Sequence, residues 1–197
     1  EVGLGGRLDT VNVVDADLAL VTSIGVDHAD YLGNTRESVA YEKAGIFRQG
    51  KPALCGDLDP PHTLLDKVRE LDCPFFLRGR DFNLEIGAQH WQWRGHDARG
   101  QAVELRDLPL LNLPMENAAL ALQAYLLLDL PWNAGQIAAT LLSTRVVGRL
   151  DRRAFQWQGK CLNLLLDVGH NPHAAEYLAQ RLSRTPPAGR RLAVFGL

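Results

Sequence analysis

Residues 22–47 read TSIGVDHADYLGNTRESVAYEKAGIF, and they follow the apolar run Leu18-Ala-Leu-Val21. The run through Ile24 has the composition of a strand buried on both faces, as in a parallel sheet. It stops at Gly25, and a polar loop with Asp27, His28 and Asp30 follows. Thr35 then has the chemistry of an N-cap, with Glu37 in the first turn of a helix predicted over 36–47. Gly45 is awkward inside that helix and marks its end. A strand that ends in acid and imidazole groups, followed by a helix, is how an open α/β sheet displays a site at its strand ends.

Working outward, Lys51–Cys55 reads as the next strand. Asp59-Pro60-Pro61 reads as the cap of a helix with Leu64, Leu65, Val68 and Leu71 on its apolar face. Pro74–Leu77 is a short strand. Between Arg80 and Leu111 the period changes to two, with glycines between the segments, which predicts an antiparallel meander. Trp91 and Trp93 share one strand face there; packing is the plainer reading and ligand stacking the bolder one. Helices are predicted over 116–128, with Asn117 in the first turn, and over 134–143. Residues 146–151 break the helical pattern and read as a joint between domains, with Gly148 as hinge. A hairpin about 155–160 leads to an apolar strand, 162–168. Asn171-Pro172 then caps a helix, and 192–195 reads as a further strand, the start of a second α/β domain. The expected division is 1–147 and 148–197.

With 197 residues and a net charge near −2, the chain has no basic surface suited to nucleic acid and no polybasic membrane face. No apolar run reaches the ~18–20 residues that span a bilayer, and no signal peptide is visible. The three cysteines are far apart and form no CxxC pair, so they read as reduced thiols of a cytoplasmic protein. The chain opens with Glu1 rather than methionine and closes on an apparent strand, so the reading expects a fragment.

The chemistry-bearing groups are few. Glu1, before the glycine-rich turn, and His28 together suit a hard divalent cation that keeps waters and substrate oxygens. Neither one alone carries the reading: a lone histidine near a strand end is more often structural or merely exposed. Lys43 is a puzzle near a cation unless its amine is deprotonated or modified; the plain alternative is an exposed lysine paired with Glu42 or Asp27. A nucleophile elbow, zinc spacings, a dinucleotide fingerprint and a P-loop are all missing.

Several motifs occur together in one order: EVGLGGRLD (1–9), SIGVDHADYLG (23–33), EKAGI (42–46), Gly148-Arg149 and DVGHNP (167–172). In this the chain resembles folylpolyglutamate synthase / dihydrofolate synthase, of the Mur ligase family. The resemblance implies an α/β fold, with a central ATPase domain carrying an antiparallel extension and then the start of a Rossmann-like C-terminal domain. It implies ATP-dependent amide formation between L-glutamate and dihydropteroate or a folate, through an acyl phosphate. Glu1 and His28 would be Mg²⁺ ligands, and Lys43 a lysine carboxylated by CO₂. Leu8, Asp9 and Thr10 would contact the pterin-bearing substrate. Asn117, Arg149 and Asp167 would contact ATP, with Arg149 offsetting phosphate charge and His170 supporting the site. Gly169 stands where relatives commonly have alanine. The implied partners are small molecules only, with no nucleic acid or membrane, and a monomer is expected. The family's phosphate loop and main glutamate contacts would lie outside the chain, so it is expected to be inactive alone. The rival readings are another Mur-type amide ligase, acting in peptidoglycan or cyanophycin synthesis, and a non-catalytic nucleotide-binding module.

Overall fold

Successive side chains of a strand point to opposite faces, and in strand Ala53–Cys55 both faces are covered. Ala53 and Cys55 enter one apolar cluster, and Leu54 enters another. That strand is the middle of a parallel sheet, which explains why all three of its residues are buried. The computed structural model describes residues 1–183 and 189–196. It divides into two units, 1–144 and 145–197.

In the first unit β1 (Ala19–Val21), β2 (Ala53–Cys55) and β3 (Phe75–Leu77) form the parallel sheet in the order β1-β2-β3. A one-turn helix α1 (Ala29–Leu32), then α2 (Arg36–Ala44) and α3 (His62–Glu70), follow the strands. Val39, Ala40 and Ala44 of α2, with Leu64 and Val68 of α3, join Ala19, Val21, Ala53 and Cys55 in one core. Thr35 caps α2, as the sequence predicts, and the structure adds a capping box with Ser38.

Three expectations change here. The first strand ends at Val21, not Ile24, because Gly56 N–H takes the last ladder bond to Val21 and the Ile24 N–H goes to the Asp57 side chain. Helix α2 ends at Ala44, three residues before the predicted Phe47. Asp59 does not cap α3; Glu37 of α2 does so from the side, accepting from the N–H groups of His62 and Thr63 and from the Thr63 hydroxyl. Glu37 thus ties two helices together.

The predicted meander is β4 (Asn83–Ile86), β5 (His90–His96) and β6 (Ala102–Pro109), antiparallel in that order. Helix α4 (Met115–Leu127) shares its core, and α5 (Ala134–Ser143) is capped by Asn133. Trp91 and Trp93 are each 1% exposed, so they are packing residues and offer no stacking face. Their indole N–H groups donate to the carbonyls of Pro109 and Ala119. Gln123 of α4, fully buried, acts as a substitute strand partner: its Oε1 accepts from His96 N–H and its Nε2 donates to His96 C=O.

The second unit has a hairpin, β7 (Asp151–Trp157) and β8 (Lys160–Leu166), and helix α6 (Pro172–Ser183). Asn171 caps α6 by accepting from Ala174 N–H, as expected. The hairpin is longer than predicted, and β8 pairs antiparallel with β7. Residues 192–195 form no strand: they have no ladder partner among the described residues, and Leu192, Val194 and Phe195 are at least 85% exposed. Among the described residues no helix is long and apolar enough to cross a membrane.

Candidate functional site

The glycine-rich opening is a loop wrapped around one carboxylate. Asp9 accepts from the N–H groups of Gly3, Leu4 and Val11, at 2.9–3.0 Å. The bonds from Leu4 and Val11, and then Gly3, hold its carboxyl below the usual carboxylate range. With its lone pairs so engaged, Asp9 shapes the loop that presents Leu8, 77% exposed, and Thr10 at the start of a 3-10 turn, Thr10–Val13.

This loop lies on the last turn of α2. Arg7 N–H donates to Glu42 C=O at 2.8 Å, and the Arg7 guanidinium forks onto the Glu42 carboxylate. The same guanidinium sits 5.4 Å from the centre of the Tyr41 ring. Gly6 has φ 152°, and a Cβ there would stand 2.8 Å from Glu42 C=O and 3.3 Å from Lys43 Cα. Only glycine lets the loop backbone come that close. The structure therefore seats Gly6 and Arg7, directly before Leu8–Thr10, on the helix turn that carries Lys43. Glu42 is taken by Arg7, and among the described residues no carboxylate lies within ion-pair distance of Lys43. Glu1 is exposed at the start of the same glycine-rich segment.

His28 stands before α1 in the left-handed region, φ 50° and ψ 47°. A non-glycine residue held there is a local cost that the surroundings must impose. Its N–H donates to Asp27 Oδ1 at 2.8 Å, and its ring Nε2 lies 4.0 Å from the Asp27 carboxylate. The imidazole is about half-exposed, and a donor set of one imidazole and one carboxylate suits Mg²⁺ or Mn²⁺, which retain waters and substrate oxygens. Asn117 is exposed in the first turn of α4, whose N-cap, Pro114, supplies no side-chain bond.

In the second unit Asp167 clamps two turns. Its Oδ2 accepts from Leu150 N–H and its Oδ1 from Gly169 N–H. The turn of Gly148, with φ 71°, and Arg149 is thereby joined to the turn of His170, as is also done by the bond from Val168 N–H to Gly148 C=O. Arg149 and His170 are both exposed, and His170 Nδ1 lies 3.0 Å from Val168 C=O. A Cβ on Gly169 would stand 2.9 Å from Asp167 Oδ1.

No protein-family model matches the chain. It is 44% identical over all of its 197 residues to the dihydrofolate synthase/folylpolyglutamate synthase of Escherichia coli, of which it covers 44%. A solved structure of E. coli FolC in complex with DHPP and ADP superimposes with a TM-score of 0.84, at 42% identity, over 96% of this chain and 44% of that one. The bifunctional enzyme of Yersinia pestis, complexed with AMPPNP and Mn ion, gives a TM-score of 0.81 at 41% identity, over 93% of this chain and 42% of that one. Along its whole length the chain is similar to folylpolyglutamate synthase/dihydrofolate synthases. It spans a little under half the length of these relatives.

Sequence reasoning picked out the glycine-rich loop, His28, Lys43 and the DVGHNP turn for this family, but missed what holds them. The sequence does not pair Arg7 with Glu42, although an arginine directly after three glycines in four positions is a signal that a flexible loop is anchored. Nor does it mark Arg36 and Asp57 as a pair.

Proposed function

We propose that this chain supplies the metal-binding, acceptor-binding and part of the nucleotide-binding surface of an ATP-dependent ligase that adds L-glutamate to dihydropteroate or a folate. The observation that carries this reading is the seating of Gly6 and Arg7, directly before Leu8–Thr10, on the turn of Lys43, in a chain that aligns along its whole length with such enzymes. The two units, 1–144 and 145–197, are read as parts of the central and C-terminal domains.

In the proposed reaction a carboxylate of the acceptor takes the γ-phosphoryl group of ATP, releasing ADP. The glutamate amine then attacks the acyl phosphate, phosphate leaves, and the amine gives up a proton. Glu1 and His28 would hold Mg²⁺, which supplies charge neutralisation on phosphate oxygens. Leu8 and Thr10 would contact the pterin-bearing acceptor, with Asp9 keeping their loop in shape. Asn117, Arg149 and Asp167 would contact ATP, and the Arg149 guanidinium would offset charge as the phosphoryl group transfers. His170 would support that turn. Lys43 lies in the last turn of α2, where an ammonium is favoured by the helix dipole. A carbamate there would be an anion at the wrong helix end, so carboxylation needs a compensating cation nearby. The partners are small molecules, and the proposed state is a cytoplasmic monomer.

The test is a chimera in which this chain replaces the matching segment of the E. coli relative. It should convert dihydropteroate or folate to the glutamylated product, dependent on ATP and glutamate, as read by mass spectrometry. Lys43→Ala and His28→Ala in that chimera should each lower kcat/KM by about 100-fold. A folded chimera without turnover, or one indifferent to both substitutions, would refute the assignment.

A further inference from the structure

Arg36 is the first residue of α2, a position where the helix dipole disfavours a cation. Nothing within its own helix explains it. Its side chain instead leaves the helix and meets the ends of two parallel strands. Nε donates to Ile24 C=O at 3.0 Å; Nη2 donates to Asp57 Oδ2 at 2.9 Å and to Asp59 C=O at 2.8 Å. Asp57 Oδ2 also accepts the Ile24 N–H at 2.9 Å. Both backbone groups of Ile24 are thus held by one ion pair contributed by two other segments.

The node is well supported. Ile24 is 4% exposed, and the Asp57 side chain is 13% exposed. Just before it the two strand ends touch: Gly56 N–H bonds Val21 C=O, and a Cβ on Gly56 would stand 2.6 Å from Thr22 C=O. After Ile24 the chain has only Gly25, Val26 and Asp27 before His28. Those four residue steps reach at most about 13–14 Å when fully extended, so a fixed Ile24 bounds how far His28 can move. His28 is at the same time held in the left-handed region, which by itself favours relaxation to another conformation.

We infer that Arg36 and Asp57 are positioning residues: together they fix Ile24 and so hold the loop that aims the His28 imidazole. This rests on the reading of His28 as a ligand of Mg²⁺ or Mn²⁺ made above. Neither residue touches the metal, and each acts on it through the backbone. Outer groups that orient a ligating histidine commonly matter by 10–100-fold in metal affinity.

The experiment is a Mn²⁺ titration of the full chain, read by paramagnetic broadening of the His28 imidazole resonances, with melting temperature measured alongside. Asp57→Ala, which removes the acceptor of Ile24 N–H, should raise the Mn²⁺ concentration for half-broadening by about 10-fold. Asp57→Asn, which keeps an acceptor, should raise it less. Arg36→Lys keeps the charge without the fork and should fall between the two. Asp59→Asn is the control: that carboxylate is 97% exposed and 3.6 Å from Arg36, so the titration should not move. Variants that melt lower but titrate like the parent would make the node merely structural and overturn the inference. If His28 of the parent is not broadened at all, the metal reading itself fails; if His28 of the parent is broadened and the Asp57 variants match it, only the positioning role fails.

Discussion

Within the first unit the meander on α4 and the ends of the parallel strands are held together by different forces. The meander encloses Trp91, Trp93, Leu105, Leu108, Met115 and Leu120, all nearly without exposure. Even its buried polar group, Gln123, is satisfied on both amide atoms. The strand ends and the loops beside them are held by charged side chains, most of them bonded to backbone: Arg36 and Asp57 on Ile24, Glu37 on the start of α3 and Asp9 on its own loop, while the Arg7 guanidinium pairs with the Glu42 carboxylate. Apolar burial is strong and undirected; a charge-assisted hydrogen bond contributes less but fixes a position. The first region gives stability, and the second gives geometry to the groups proposed to carry chemistry.

The largest effect should come from the meander. Trp93→Ala removes a fully buried ring and its bond to Ala119 C=O, and should destabilise the unit by about 3–5 kcal/mol in urea unfolding. A loss comparable to that of an exposed side chain would mean that the meander does not carry the core.

Glu37 should be felt less, and in a pH-dependent way. The Thr63 hydroxyl, then the N–H groups of Thr63 and His62, hold its carboxyl below its ordinary value. A depressed folded pKa contributes stability that is present above the unfolded value and is lost as pH falls through the folded one. Glu37→Gln should therefore melt lower than the parent at neutral pH, and the gap should close in acid, below the usual carboxylate range. A gap that is constant with pH would assign the loss to packing.

Least of all should come from surface charge with no backbone to hold. Arg69 and Asp66 are paired at 2.5 Å on α3 with both side chains more than two-thirds exposed, and Arg69→Ala should change stability by no more than about 0.5 kcal/mol. A larger loss would erase the distinction between pairs that grip backbone and pairs that do not.

The legible parts were those that depend on near neighbours. Thr35, and Asn171 with Pro172, announced helix starts because a cap acts within three residues. Alternation from Asn83 to Leu108 announced the meander because a strand repeats every two residues. Asp59 misled, because a nearby acid looks like a cap while the acid that caps α3 is 25 residues earlier in the chain. The strand expected at 192–195 misled because apolar composition says what a strand could be, and only a partner makes it one.

By itself the sequence determined the α/β class and the motifs that carry the family resemblance, since composition, period and motif are properties of short stretches. Tertiary structure alone decided that Gly6 lets a loop rest on the turn of Lys43, and that Arg36 and Asp57 grip Ile24. Those contacts join residues that are far apart in the chain, and the cost of closing such loops is met only when the whole core forms.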